Sequence, residues 1–413
     1  MIINNFSPIE LKEARKIVDE VKVEEKIEKV YFNDALEKVI AEDIISKVNI
    51  PNFDKSPLDG YAFREEDVVN ASKDNPVVLE VIDVIMAGDV SEKSVSKGQA
   101  VRLMTGAKVP SGAKCIVRYE DTEFTDKEVK IFSPIGKNKN IIGLGEDVRK
   151  GDVIIKKGTF LTPAEIGVLA SLGIPFIKVY KAPLLSVTIS VFATGSELLD
   201  VTDKMEDGKI RNSNSYTIEQ LGKMYRADVI QYGKVDDDLD SLVDMYKKAI
   251  RNSDIIISTG GISVGDSDFV LTAMDKIGVK TIFTRVMAKP GGHVFFGEYE
   301  GKFIFALSGN PAASFMNFYL YVRPIILKLQ NRNANMLKVQ SELLNGFNNK
   351  AKVNRILRAN TFYKDGKFFT EIEKRQESGV LSTIVSKNSI VIVPSQTEIS
   401  KGEIIESEFL YEQ

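Results

Sequence analysis

The 413-residue sequence predicts a multidomain α/β plus β protein: a doubly wound α/β module, a β-rich module before it, helical segments at the N-terminus, and a small β-barrel at the C-terminal end. Three observations carry this. Between residues 184 and 328, buried-strand runs alternate with helical patterns of ten or more residues, the rhythm of a mostly parallel sheet covered on both faces. On either side of that module, short β-branched runs are separated by turn residues. The length suits about three domains, at roughly 150 residues each.

From Pro8 to about Ala41, apolar residues recur at helical spacing: Ile9, Leu11, Ala14, Ile17, Val18 and Val21, then Ala35, Leu36, Val39 and Ile40. This predicts two helices joined by a short strand. From Glu42 to Asn140, "VVLEVIDVI", "KCIVRYEDTEF" and "EVKIFSPI" are set apart by Gly, Pro, Asp and Asn turns, which predicts a β-rich module. In "LTPAEIGVLASLGI", Thr162 is the N-cap, Pro163 takes the first helical position, Glu165 completes a capping box and Gly173 ends the helix.

The α/β module follows. "LLSVTISVFA", "DVIQYGKV", "DIIIS", "VKTIFTRV" and "KFIFAL" read as strands. "NSYTIEQLGKMYRA", "DLDSLVDMYKKAIRN" and "DFVLTAMDKIG" read as helices, and "AASFMNFYLYVRPIILKL" closes the module as a long one. The Asn-rich "NRNANM" at 331–336 marks a boundary. Short strands with Lys-Asp-Gly and Lys-Gly turns then predict the barrel.

Composition narrows the chemistry. A net charge of -3 gives no global reason to expect nucleic acid or an acidic membrane as partner. No apolar run approaches the roughly 20 residues that span a bilayer. The start, "MIINNFSPIELKEARKIVDEV", is amphipathic and acidic and is not expected to be a signal peptide. The single cysteine, Cys115, excludes an intrachain disulfide and fits the cytoplasm. One His and one Cys exclude a zinc site built on those residues within one chain, and paired-histidine iron or copper sites. A Ser-His-Asp triad would have to use His293. Catalysis is therefore expected from carboxylates, Lys and Arg, hydroxyls and backbone amides, and a bound metal is expected to be a hard ion such as Mg²⁺.

In an open α/β sheet the ligand crevice lies beyond the carboxyl ends of the strands. Three loops leave strands at that edge: "ATGSEL" (193–198), "STGGISVGDSD" (258–268) and "LSGNPAAS" (307–314). Any one of them reads equally as a tight turn with an N-cap, but three in one module point to an anion site. The middle loop has no Gly-Lys-Ser/Thr ending and is not GxGxxG, so a P-loop nucleotide fold is not expected. Glu197, Asp266 and Asp268 could together coordinate Mg²⁺ between phosphates. Asp268 reads equally as the N-cap of the next helix, and Glu197 as a first-turn dipole partner. "MAKPGGHVFFG" (287–297) sets Lys289 on a constrained turn, with Arg285 four residues earlier.

Seven motifs then occur in order: "NFDKSPLDGYAFR" (52–64), "VRLMTGAKVPSGAKCIV" (101–117), "GEDVRKGD" (145–152), "TGSEL", "STGGISVGDSDF", "AKPGG" and "SGNPAAS". Together, over essentially the whole chain, they resemble the MoeA family of molybdenum insertases, related to the E domain of gephyrin and its plant counterpart. The resemblance implies that the α/β module is similar to the MoaB/MogA-like molybdopterin-binding domain, shared with the adenylyltransferase that acts one step earlier. It implies an enzyme that takes adenylylated molybdopterin (molybdopterin-AMP) and molybdate, hydrolyses the adenylyl group with Mg²⁺ or Zn²⁺ present, and releases molybdenum cofactor and AMP. Its upstream partner is the molybdopterin adenylyltransferase, and molybdoenzymes receive its product.

The resemblance also implies an elongated homodimer. Its active cleft lies between the α/β module of one subunit and the β-rich module of the other. Residues 1–45 and 141–180 form one helical linker domain with 46–140 inserted in it, followed by domains 181–328 and 329–413.

Residue by residue, Asp59, Thr105 and Asp147 are expected to line the cleft from the partner subunit. Glu197, Asp268, Arg285, Lys289 and Pro311 match functional positions on the α/β side. Arg358 and Ser378 match a basic and a hydroxyl position facing the cleft. The catalytic set is then Asp59, Glu197, Asp268, Lys289 and Arg285, with Glu197 and Asp268 as Mg²⁺ ligands. From the three loops, Thr194, Gly195, Ser258, Gly260, Gly261, Ser263, Gly265, Ser308 and Asn310 are expected to contact substrate, the amides of Gly260, Gly261 and Gly265 cradling a phosphate. Asp266 is expected to be structural. The run Asp236-Asp237-Asp238 has a family counterpart, in a register open by one residue.

The sequence departs from the family at Ile142, Gly143 and Leu144, and at Gly292, where basic residues are common. It departs again at Ser308, in "SGNP" for "PGNP", and at Leu58, in "LDGYA" for "MDGYA". Leu58 conserves volume. The lost basic positions keep three alternatives in view: a tungsten-inserting paralogue, a pterin-binding paralogue without turnover, and a gephyrin-like scaffold that binds partner peptides. The acidic and basic residues Asp59, Glu197, Asp268 and Lys289 occur together, which favours an enzyme over a scaffold. A nucleotidyltransferase acting on the pterin would need only the α/β module.

Overall fold

A computed structural model describes residues 7–23, 27–181, 187–262 and 269–411. The chain forms two compact units, residues 27–179 and a second unit of residues 1–26 with 180–413.

In the unit of residues 27–179, the strand pattern produces a six-stranded sheet in the order Cys115–Arg118, Gly60–Phe63, Gln99–Leu103, Val77–Ile85, Glu128–Ile131, Thr122–Phe124. Alternate residues of Gly60–Phe63 point to opposite cores: Tyr61 and Phe63 pack with Cys115 and Val117, and Ala62 packs with Val101 and Ile116. The helix Pro163–Ser171 carries the expected capping box between Thr162 and Glu165, and Gly173 ends it at φ +67°.

The second helix expected over 35–41 is absent. Glu37 takes φ +64°, which an α-helix does not allow, and the apolar residues pair instead as extended chain, Val39 with Phe160 and Ile40 with Val179. Helical spacing and a short, kinked, half-buried segment leave the same apolar pattern.

In the other unit, the strand–helix rhythm gives a six-stranded sheet in the order Asp228–Val235, Thr188–Thr194, Ile255–Thr259, Lys302–Leu307, His293–Tyr299, Lys280–Arg285. The first four run parallel, while His293–Tyr299 runs antiparallel to both its neighbours. Period-two alternation sorts the side chains. Ile189, Val191, Ile255 and Ile257 face a core shared with the helix Asn214–Met224, whereas Phe192 and Ile256 face the helices Leu239–Asn252 and Phe269–Ile277.

The long closing helix is continuous but irregular, running as Pro311–Asn317, a π-helical turn Phe318–Val322, and Arg323–Leu329. Pro324 has no N–H for the regular ladder and would crowd the carbonyl four residues back, which accounts for the widened turn.

The expected union of 1–45 with 141–180 is divided. Residues from 27 onward do group with 141–179, but the helix Leu11–Glu20 buries Leu11, Ala14 and Val18 in the core of the α/β unit. Arg15 fixes it there with two 2.8 Å bonds to the buried Glu408 carboxylate.

The C-terminal strands close into a five-stranded barrel, Asn354–Lys364, Lys367–Ile372, Lys338–Leu343, Ile404–Phe409 and Ser389–Val393, the last pairing back on the first. Its interior holds an apolar layer around Leu357 and Val391. Beside it lies a hydroxyl layer with one residue from each strand: Ser341, Thr361, Thr370, Ser389 and Ser407, linked at 2.7–2.9 Å. A sixth short strand, Ala288–Lys289, joins the barrel edge by pairing parallel with Asn354–Arg355.

Candidate functional site

The carboxyl edge of the parallel strands gathers two of the three predicted loops and the start of the third. Gly260 is fixed there by close approach: at φ +91°, a Cβ on it would lie 2.2 Å from the Thr194 carbonyl oxygen. Only glycine lets these two loops touch. Thr194 donates its hydroxyl to Asp237 at 3.0 Å, and Asn214 donates to the Gly309 carbonyl at 2.8 Å. A cavity of about 210 Å³ opens between these loops, lined among others by Thr194, Glu197, Gly260, Asn310 and Pro311.

The predicted amide cradle is only partly available. The Gly260 N–H already donates to the Leu307 carbonyl at 3.1 Å, so Gly260 serves by its size and not as a phosphate donor. Ser258 turns away from the site. It is fully buried, and its hydroxyl meets Tyr246 Oη at 2.6 Å, because strand alternation sends it to the face covered by Leu239–Asn252. Ser263, Gly265, Asp266 and Asp268 lie outside the described residues.

Asp237, one of the three aspartates left open in register by the sequence, lies against the loops at the sheet edge. It receives the Thr194 bond, and its carboxylate oxygen would lie 3.8 Å from a Cβ on Gly261. Asp238 instead caps the helix Leu239–Asn252 by accepting from the Ser241 N–H at 2.9 Å.

A second cavity, of about 670 Å³, lies on the other side of the Ser308–Pro311 loop and shares Asn310 with the first. Arg285, Lys289, Ser308, Asn310 and Ser378, all expected at the site, line it together. Its other titratable lining residue is His293, which the sequence offered only as an unpromising triad member. Among the described residues no carboxylate lines it, so the charge of its described lining is positive.

Arg358 does not face this cavity. It is fully buried in the barrel, where its guanidinium donates to the carbonyls of Arg375 and Glu377 at 3.1 and 3.3 Å, and burial with the nearby Arg355 cation pushes it down to about 10. Gln376 grips the Arg358 backbone from the same segment. Arg358 is thus bonded to the segment 375–377, next to Ser378, which lines the cavity and whose carbonyl accepts from the Ala312 N–H.

Within the unit of residues 27–179, Asp59 and Thr105 are joined directly. Asp59 accepts the Thr105 backbone N–H at 2.6 Å and its hydroxyl at 2.8 Å, and these bonds hold the exposed carboxyl below the usual range. Asp147 lies exposed in a turn whose backbone pairs with Ile50. The bent stretch from Ile50 to Ser56 bonds on one side to residues 142–148 and on the other to 106–109, which ties the Asp147 turn to the Thr105 turn.

Fold and site together define a doubly wound α/β unit with an appended β-barrel and a cationic cavity between them. Comparison with known proteins makes the family specific. Residues 9–173 match the profile of the MoeA N-terminal region (domain I and II), residues 190–328 that of the probable molybdopterin binding domain, and residues 340–410 that of the MoeA C-terminal region (domain IV). A molybdopterin molybdenumtransferase of Staphylococcus epidermidis is 36% identical over 410 residues, covering 98% of this chain and 96% of its own. One from Staphylococcus aureus is 37% identical over 396 residues, covering 95% and 93%. The molybdopterin biosynthesis MoeA protein of Pyrococcus horikoshii superposes with a TM-score of 0.80 at 26% identity, over 98% of this chain and all of that one. The chain belongs to the MoeA family.

Proposed function

We propose that the chain is a molybdopterin molybdenumtransferase, which inserts molybdenum from molybdate into adenylylated molybdopterin and releases AMP. The observation that carries this is the pair of cavities sharing Asn310, one cationic with no carboxylate among its described lining residues, the other lined by Glu197, Arg211 and the residues of the sheet-edge loops. Two different anions, a metal oxyanion and a phosphoanhydride, can thereby be held side by side.

Arg285 and Lys289 hold the oxyanion by charge-assisted bonds, assisted by the hydroxyls of Ser308 and Ser378. Thr194, Asn310 and Pro311 orient the phosphate-bearing substrate against the sheet edge, with Gly195 and Gly261 leaving room for its approach. Oxygen donors with no imidazole or thiol among the lining residues fit Mg²⁺ better than Zn²⁺. Glu197, and Asp268 as the sequence expects, would hold that ion. When bound, it offsets the charge that develops as the phosphoanhydride breaks.

We further infer a cytoplasmic homodimer in which Asp59, Thr105 and Asp147 of one chain complete the cleft of the other. The family resemblance and the joined Asp59–Thr105 pair support it. The enzyme takes its substrate from a molybdopterin adenylyltransferase and passes its product to molybdoenzymes. The working domain limits are 46–140, 181–328 and 329–413.

The test is AMP release and cofactor formation from adenylylated molybdopterin with Mg²⁺, with molybdate and tungstate in parallel. Turnover with molybdate supports the assignment, and turnover with tungstate alone reassigns the metal. Binding of the adenylylated pterin without AMP release removes the enzyme assignment.

A further inference from the structure

Among the described residues, three titratable side chains line the 670 Å³ cavity, Arg285, Lys289 and His293. Arg285 and His293 are direct partners across the antiparallel strands that form its floor. Gly292, between His293 and the Lys289 turn, cannot contribute a side chain in this backbone, because a Cβ there would lie 2.6 Å from the Ala288 carbonyl oxygen and 3.0 Å from that of Val286. The other described lining residues bring no charge: Pro8, Ala313 and Val353, for example, are apolar, and Ser308, Asn310 and Ser378 are neutral hydrogen-bonding groups. Burial and then the Arg285 cation lower the His293 pKa, so the free cavity disfavours the imidazolium form. An oxyanion placed among these groups reverses the balance, since it offsets the repulsion from Arg285 and supplies an acceptor for an imidazolium N–H.

We propose that His293 is the protonation-dependent third anion-binding group of this cavity, taking up one proton from solvent as a tetrahedral oxyanion of the molybdate type binds, and so setting the pH dependence of its affinity. The proposal rests on the oxyanion reading of the cavity given above. Arg285 and Lys289 supply fixed charge, and His293 supplies charge only when the ligand is present.

His293 is the sole histidine of the chain, so its imidazole resonances can be followed without assignment ambiguity. The experiment is a titration of those resonances in the full-length protein over roughly pH 5 to 8, with and without sodium sulfate or sodium molybdate. Calorimetric affinities are measured alongside, in buffers of different ionisation enthalpy. The expected result is a titration midpoint that moves up by about one pH unit with the anion, and binding that weakens roughly tenfold from the acid to the alkaline end. His293→Gln should bind with a flat pH profile, and His293→Lys should hold the acid-side affinity at the alkaline end. Anion binding to the unaltered protein with an unmoved imidazole midpoint, and an unchanged pH profile in His293→Gln, overturns the role of His293 alone. Absence of sulfate and molybdate binding across the whole range, with Lys289→Ala indistinguishable from the unaltered protein, overturns the oxyanion reading of the cavity as well.

Discussion

Thr105 gives its backbone N–H and its hydroxyl to the same oxygen of Asp59, at 2.6 and 2.8 Å. The backbone bond is the larger cause of the lowered carboxyl pKa and the hydroxyl the second. A lowered carboxyl favours the folded state above its unfolded pKa, and that contribution fades as pH falls through the folded value. Thr105→Val keeps the first bond and removes the second. The Asp59 carboxyl should then rise toward the ordinary aspartate range, and the acid limb of any Asp59-dependent rate should rise with it. Carboxyl ¹³C titration reads this directly, and an unmoved Asp59 signal would show that the hydroxyl bond does not form in solution.

Removal of one fixed cation from the oxyanion cavity should cost one charge-assisted contact. Lys289→Ala and Arg285→Ala should each weaken molybdate binding by roughly 10- to 100-fold, from a bond to a charged group of about 1.5–3 kcal/mol. Calorimetry at two salt concentrations checks it, since the loss should narrow as salt rises. Equal affinity in both variants and the unaltered chain would place the oxyanion elsewhere.

Gly260→Ala should be poorly tolerated, because the added methyl would meet the Thr194 carbonyl and the residue sits at φ +91°. Backbone strain of this kind costs about 1–3 kcal/mol. The urea midpoint should fall accordingly. Activity should fall further than stability explains, because the Thr194 and Gly309 loops must part to make room.

Glu408 anchors the N-terminal helix. Burial alone would raise its carboxyl, but the Arg15 bond, aided by Lys338, outweighs burial and holds it below the usual range. Its stabilising effect is therefore complete above the unfolded pKa and lost as pH falls through the folded one. Glu408→Gln leaves Arg15 without its counter-charge and should cost about 3 kcal/mol, the lower end for a broken buried pair. Urea unfolding at neutral and acid pH should show a large difference from the unaltered chain at the first and a smaller one at the second.

Much of the architecture was legible because it depends on period. Alternating strands and helices between 184 and 328 predict which residues lie at the carboxyl edge of a sheet, and Arg285, Lys289, Ser308 and Asn310 meet in one cavity, where they are joined by Ser378, which only the family resemblance pointed to. What period cannot give is phase against a partner. Ser258 opens the loop as the sequence reads it, yet it lies within the strand Ile255–Thr259, whose phase turns the hydroxyl into the core toward Tyr246. Arg358 sits in a strand whose inward face is defined only once the barrel has closed, and there it is sealed from solvent. Three successive aspartates carry no phase at all. Packing distinguishes Asp237, which takes the Thr194 hydroxyl, from Asp238, which caps a helix. The apolar residues 35–40 satisfy a helical pattern, but the left-handed Glu37 shows that burial on one side of a bent segment satisfies it too.

The short pairing of Ala288–Lys289 with Asn354–Arg355 makes the barrel a splint for the anion cavity. The hairpin tip carrying Lys289 is stitched on one side to the barrel and, through Met287 and Arg285, on the other to Ile9. A chain truncated after residue 329 would retain the whole α/β sheet and still lose one of the two seams that aim its lysine. Over evolutionary time the barrel could therefore drift in sequence, but it could not be discarded or exchanged without retuning the chemistry of a neighbouring module.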